Sequence, residues 1–308
     1  KYLYTTLSYN LLSAIIENVT GLYFEEYLKK FIFDPAGMKN TYLDYYNVII
    51  PYRAPMYTRN KKRVLENAPL ADHSIKLAGG GIISSVEDLL KFGNAILNNT
   101  LLKSATIDSM LKPLVLPNGN TRNYGLGFSF TDSTSKRFYF GHTGAWNSAD
   151  LQIYPKEKVV IAHVMNYRDR YPENPSNYIA SIYFRDTTES LKKPISDFYF
   201  QIGTRFGLDS VFSLHETIKT DSTINFSKRE WMFLASDLEN NNYIQDAIIT
   251  YIKILEMFPE TTDVLLALGN AYLKDKNEGL ALKNFRRVLQ LEPNNQQAAI
   301  QIKKLTGN

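Results

Sequence analysis

The chain has 308 residues, 44% of them hydrophobic, which is enough for one full-sized core and a smaller second one, so two domains are expected. Lysine and arginine number 35 against 31 acids and form no basic block or stripe, which argues against a surface that tracks a phosphate backbone. The absence of cysteine excludes disulfides, thiolate metal sites and thiol nucleophiles, and no apolar run approaches the roughly 18 residues of a membrane helix.

In chain order, Leu7, Leu11, Leu12, Ile15, Ile16 and Val19 recur at helical spacing and stop at Gly21, which suits a left-handed C-terminal cap. A second amphipathic stretch runs from Phe24 to Phe33 and ends at Pro35-Ala36-Gly37. Residues 40–80 are rich in Tyr, Asn and Pro and read as a long surface excursion of the kind that lines a site. Ala78-Gly79-Gly80-Gly81 permits close backbone approach before a helix that Ser84 and Glu87 open as a capping box, with Leu89, Leu90, Phe92, Ile96 and Leu97 as its apolar positions. A short helix from Ser104 stops at Lys112-Pro113.

Strands follow: Tyr124 to Phe130, Arg137 to His142, Asp150 to Tyr154 and Val159 to Val164, the last two joined by a turn at Pro155-Lys156-Glu157-Lys158. A helix is expected from about Tyr178 to Phe184. Helices, then consecutive hairpin strands, then a helix is an α+β order with an antiparallel meander, distinct from the strand-helix alternation of a doubly wound sheet.

The last third carries a repeat of period 34. Trp231, Leu234, Ala247, Tyr251 and Pro259 fall in step with Leu265, Leu268, Ala281, Phe285 and Pro293. This resembles the tetratricopeptide pattern, in which large residues knit two helices, small ones let them cross closely, and proline ends the unit. Gln296 to Leu305 is the expected closing helix, and the repeats are expected to pack on residues 195–225, with a helix over Leu208 to Ile218. The predicted divisions are residues 1–190, a linker and packing helix over 191–225, and two repeats with a capping helix over 226–308.

The run Phe140-Gly141-His142-Thr143-Gly144, together with Tyr4-Thr5-Thr6 opening a helix, resembles two of the three active-site signatures of the serine β-lactamase and penicillin-binding-protein superfamily, of class C β-lactamase and esterase type. Further landmarks keep the superfamily's order: Val19-Thr20-Gly21, Pro35 to Met38, Arg53-Ala54 before Tyr57, Ala78 to Gly81, Tyr124 to Gly127, Tyr154-Pro155 and Asn166. They cover nearly all of residues 1–190. The resemblance implies a β-lactamase/transpeptidase-like antiparallel sheet with flanking helices, lacking the N-terminal strands and nucleophile helix, followed by the all-α repeat module. It also implies that upstream sequence precedes Lys1, with any signal or anchor it holds.

By the same resemblance, Tyr4 shuttles the proton of a serine nucleophile, and His142 stands where most relatives carry lysine, polarising the site or bonding Tyr4. Thr6 replaces the usual Asn as a donor to substrate. Thr143 contacts a substrate carboxylate or carbonyl, Gly144 lets the substrate backbone lie close, and the Ala145 N–H is one of two oxyanion donors. The sequence departs from the pattern at Ala145-Trp146-Asn147-Ser148, bulkier than usual, where Trp146 could wall the pocket.

Ser-x-x-Lys occurs at Ser133 to Lys136 and Ser190 to Lys193, but in a strand turn and a linker after Tyr4, where neither qualifies as the nucleophile. His73, His163 and His215 lack metal-site spacing and read as structural residues, as does Trp231. The implied function is that of a serine hydrolase cleaving an ester, amide or β-lactam bond of a small-molecule or peptide-like substrate through an acyl-enzyme and exported from a bacterial cell, while this sequence, lacking the Ser-x-x-Lys nucleophile, is expected to be inactive by itself. No cofactor is implied, and nucleic acid is not an expected partner. The competing expectations are a non-catalytic hydrolase-fold binding module and a repeat scaffold that grips a protein or peptide.

Overall fold

The structure, a computed structural model, describes residues 3–117, 119–131, 135–145, 148–168, 174–186 and 192–307. It forms two compact units, Lys1–Thr58 with Asn67–Thr188, and Arg59–Glu66 with Glu189–Asn308. Residues 59–66 therefore group with the second unit, not with residues 1–190 as the sequence suggests. Within that unit the Arg59 guanidinium meets Asp197 at 2.8 Å, and Arg63 meets the same carboxylate at 2.6 Å.

The first unit opens with α1, Thr6–Thr20. The Thr5 hydroxyl caps it by accepting from the Leu7 N–H, and Gly21 at φ +69° closes it, its N–H donating to Glu17 O. No residue of α1 is buried, and its apolar face is open: Leu7 is 71% exposed and Val19 78%. The stretch read as one helix from Phe24 is α2, Phe24–Leu28, running into a π-helical turn at Lys29–Phe33, whose wider spacing breaks the single periodicity.

A two-stranded ribbon pairs β1, Tyr42–Leu43, with β2, Ile82–Ile83. Helix α3, Val86–Leu97, is capped by Ser85, which accepts from the Asp88 N–H. The expected Ser84–Glu87 box is displaced by one residue, because Ser84 spends its hydroxyl on Thr41 at 2.8 Å. Helix α4, Ser104–Met110, follows.

The sheet is an antiparallel meander of β3 (Ser129–Phe130), β4 (Phe140–Thr143), β5 (Ala149–Tyr154) and β6 (Val159–Val164) in the order β6-β5-β4-β3. The strand expected from Tyr124 is only its end. Gly125 and Gly127 turn the chain, with the Gly125 N–H donating to Phe128 O at 2.8 Å and Gly127 at φ +88°. Nor does β4 begin at Arg137; pairing starts at Phe140.

Alternation sends Phe140, Leu151 and Ile153 to one face, where they form a core with Ile96, Ile107 and Phe128. Gly93 lets α3 lie flat there: a Cβ at that position would fall 2.5 Å from Val160 Cγ1. The other face packs Tyr154 and Ile161 on Ala180 of α5, Pro175–Tyr183, a helix that starts three residues before its predicted N-terminus. Gln152 bridges Asp150 at 2.9 Å and Asn177 at 2.7 Å there and accepts from the Tyr154 hydroxyl at 2.7 Å; burial pushes that phenol's pKa up.

The second unit is helical: α6 (Ser196–Phe206), α7 (Leu208–Ile218), α8 (Lys228–Asn240), α9 (Ile244–Met257), α10 (Thr262–Lys274), α11 (Glu278–Leu291) and α12 (Gln296–Thr306). Trp231 sits at its centre, 5.2 Å from the Tyr199 ring and 4.9 Å from His215, in a core shared by α6 to α10. Glu230, fully buried, turns one carboxylate oxygen onto the N–H groups of Ile195 and Ser196, both at 2.9 Å, and so caps α6 from another helix. No helix among the described residues is long and apolar enough to cross a membrane.

Candidate active site

Tyr4 stands just before the Thr5 cap of α1 and is 55% exposed. The helix start beneath it is pinned by the glycine run. A Cβ on Gly79 would fall 2.4 Å from the Thr6 methyl and 2.5 Å from the Thr6 carbonyl oxygen, so only glycine lets the two backbones come this close. Asn10, one turn further, clamps the same segment by donating to Ile75 O at 2.7 Å and accepting from the Gly79 N–H at 3.2 Å. Thr6 is thus packed by its methyl against Gly79.

His142 lies near the C-terminal end of β4, opposite Leu151 and on the strand face that carries Phe140. Its ring stands 6.5 Å from that of Tyr4, so residues from opposite ends of the first unit's sequence meet in one cluster. They do not meet by a direct hydrogen bond. His142 Nε2 lies 3.1 Å from the Tyr124 hydroxyl, which lies 3.1 Å from the Tyr9 hydroxyl, and Nδ1 lies 2.7 Å from Thr143 O. Tyr124 is edge-on to both partners, at 5.9 Å and 85° to Tyr4 and at 5.7 Å and 81° to His142.

Past His142, Thr143 is exposed and pairs with Asp150, and the Gly144 N–H donates to Ala149 O at 2.7 Å, closing the hairpin end. A Cβ on Gly144 would sit 3.2 Å from Ala149 N and 3.3 Å from Ser148 Oγ. Ala145 is exposed, and its carbonyl accepts from the Ser148 N–H at 3.0 Å, while no acceptor for its own N–H occurs among the described residues. That amide is therefore able to donate to an incoming oxygen. Trp146 lies outside the described residues, as do Asn147 and the serines at 133 and 190. Lys136 and Arg137 both pair with Asp186, and this company, the lysine first, holds that carboxyl below the usual carboxylate range.

The other histidines have structural partners. His73 Nδ1 lies 2.9 Å from Asp44 Oδ2, which also accepts from Arg53 at 3.1 Å; His163 bonds Ser176 at 2.8 Å; His215 bonds the Tyr199 hydroxyl at 3.0 Å. No group of three His, Asp or Glu side chains able to hold a metal occurs among the described residues. Sequence reasoning named the glycine motif at 124–127 but gave Tyr124 and Tyr9 no role. The two glycines following Tyr124 were the available signal, since they suit a turn that presents the tyrosine better than a continuous strand.

Comparison with known proteins gives this arrangement a context. The model of the family described as Beta-lactamase matches residues 1–182. The serine beta-lactamase-like protein LACTB, mitochondrial, of Homo sapiens is 45% identical over 97 residues, which is 32% of this chain and 18% of that protein. Penicillin-binding protein 4* of Bacillus subtilis (strain 168) is 29% identical over 156 residues, 47% of this chain and 35% of that protein. The chain's matches thus span 18% and 35% of these two relatives' lengths.

Two solved structures share the fold with a TM-score of 0.51 each. The octameric penicillin-binding protein homologue from Pyrococcus abyssi is 24% identical, with 67% of this chain and 46% of that one covered. The D-stereospecific amidohydrolase from Streptomyces sp. is 22% identical, with 61% and 56% covered.

Proposed function

The chain belongs to the beta-lactamase family, and we propose that its first unit carries the proton-transfer side of a serine hydrolase site, cleaving an ester, amide or β-lactam bond through an acyl-enzyme. The observation that carries this reading is the convergence of Tyr4 and His142, ring centroids 6.5 Å apart, with His142 three residues before an Ala145 N–H that has no acceptor among the described residues. In this reading the Tyr4 phenol takes the nucleophile's proton and returns it to the leaving group, and Ala145 N–H steadies the oxyanion. Thr143 and Gly144, exposed at the strand end, receive the substrate backbone. Thr6, whose methyl packs against Gly79, would offer its hydroxyl to a substrate carbonyl in this reading.

We propose that the nucleophile, a Ser-x-x-Lys at a helix N-terminus, comes from residues outside this sequence. The short spans matched in the relatives support this, as does the open apolar face of α1 beside Tyr4, a surface suited to cover by further protein. A fluorophosphonate probe tests it. The chain from Lys1 to Asn308 is expected to show no stoichiometric labelling, and a longer form of the protein to be labelled at that serine. Stoichiometric labelling of the shorter chain would place a nucleophile within it and overturn the assignment.

For residues 226–308 we propose two tetratricopeptide repeats closed by α12, gripping a peptide on their concave face. The period supports this: Ala247 and Ala281 have no exposed surface, nor does Phe285, and Tyr251 at the matching position is 2% exposed. The proposed compartment is export from a bacterial cell. The Bacillus subtilis relative supports the bacterial part of that reading and the mitochondrial relative does not.

A further inference from the structure

Four polar groups line up behind the exposed Tyr4. The Thr143 carbonyl oxygen, 2.7 Å from His142 Nδ1, can only accept, so Nδ1 carries the hydrogen. An uncharged imidazole has one N–H, which leaves Nε2 as a lone pair. The Tyr124 hydroxyl, 3.1 Å away, must then donate to it. Having given its one hydrogen to the imidazole, the Tyr124 hydroxyl can only accept from Tyr9, whose hydroxyl 3.1 Å behind it is the donor. The hydrogen bonds therefore run one way, from Tyr9 to Tyr124 to His142 to the backbone, and each donor in such a chain strengthens the next.

The cluster is built from rigid pieces. Tyr9 stands on α1, whose start is locked to Gly79. Tyr124 enters the turn at Gly125, where an added Cβ would overlap Met110 O, and a backbone bridge ties Tyr124 to Ser129 of β3. His142 is fixed by β4. Three separate elements thus aim three side chains at one another.

We propose that Tyr124, backed by Tyr9, is the positioning residue of this site. Its hydroxyl occupies His142 Nε2 and holds the imidazole as the Nδ1–H tautomer in one orientation, which leaves Tyr4 as the group that carries the proton. The role in hydrolysis rests on the function proposed above, whereas the tautomer does not.

Long-range 1H–15N spectra of the histidine-labelled chain decide the matter, with His142→Ala assigning the signal among the four histidines. At mildly alkaline pH the His142 nitrogens are expected to show a protonated Nδ1 and an acceptor Nε2. In Tyr124→Phe the two nitrogen shifts should move toward each other as the Nε2–H form becomes populated, and Tyr9→Phe should move them the same way by less. An Nε2–H ring in the wild type would overturn the proposal. So would an unchanged His142 signal in Tyr124→Phe with the signals of His73, His163 and His215 kept. Should Tyr124→Phe lose those three signals and so fail to fold, Tyr9→Phe decides alone: movement supports the proposal and its absence refutes it. Because the readout is a nitrogen shift and not turnover, it reads the same whether or not the chain proves to be part of a hydrolase.

Discussion

Asp88 has no exposed surface and yet remains a carboxylate, because three donors converge on it: the Asn40 N–H at 2.6 Å, the Thr41 hydroxyl at 2.9 Å and the Lys91 ammonium at 2.8 Å. Burial by itself would raise its pKa. The hydrogen bond from Lys91, then those from Asn40 and Thr41, outweigh burial and hold it below the ordinary carboxylate range. An unfolded Asp takes up its proton near pH 4, whereas the folded Asp88 does so at lower pH. The stability it contributes is therefore complete above about pH 4 and is lost as pH falls through the depressed value. Asp88→Asn should cost about 2 kcal/mol at neutral pH, since buried donors lose a charged acceptor, and the gap should narrow at pH 3. Urea midpoints of both proteins at the two pH values measure this, and a gap that stays constant would count against it.

At the scale of the element, two glycines near one another in sequence should respond with opposite signs. A Cβ on Gly269 of α10 would meet the fully buried Phe285 ring at 2.5, 2.9 and 2.9 Å. Gly279, in the first turn of α11, has only Asn277 Oδ1 near, at 3.9 Å. Alanine gains up to about 1 kcal/mol of helix propensity at an open site, but overpacking against a rigid ring costs about 1–3 kcal/mol. Gly279→Ala should therefore raise the thermal midpoint and Gly269→Ala lower it. A rise in both would mean that the α10–α11 crossing is looser than described.

The same elements show what the sequence made legible. Val159 to Val164 is a short, largely apolar, β-branched run and is a strand over those residues, packed on both faces, and Leu208 to Ile218 is a helix over those residues. Helix α6, by contrast, went unread. Its Phe198, Tyr199, Phe200, Ile202 and Gly203 have weak helix propensity, and the helix stands on a cap from Glu230, distant in sequence, and on packing of Gly203 beside Val211. At the site, Tyr4 and His142 could be paired by the order of their motifs. Tyr124 could not: its two following glycines signal a turn, but the packing of that turn on Met110, which sets where the tyrosine lies, is a contact that no local pattern encodes.

At the scale of the molecule, helices come first, a four-stranded meander second and helices last, and the proposed function turns on what the meander does within the first unit. It carries His142 back to the start of α1, so that groups remote in sequence share one cluster with the exposed Tyr4. Turnover in the nucleophile-bearing form proposed above tests this convergence most directly. With a simple aryl ester as substrate, Tyr4→Phe and His142→Ala should each lower kcat/KM by at least about tenfold, a modest loss for groups engaged in proton transfer. Unchanged turnover in both variants would contradict the account.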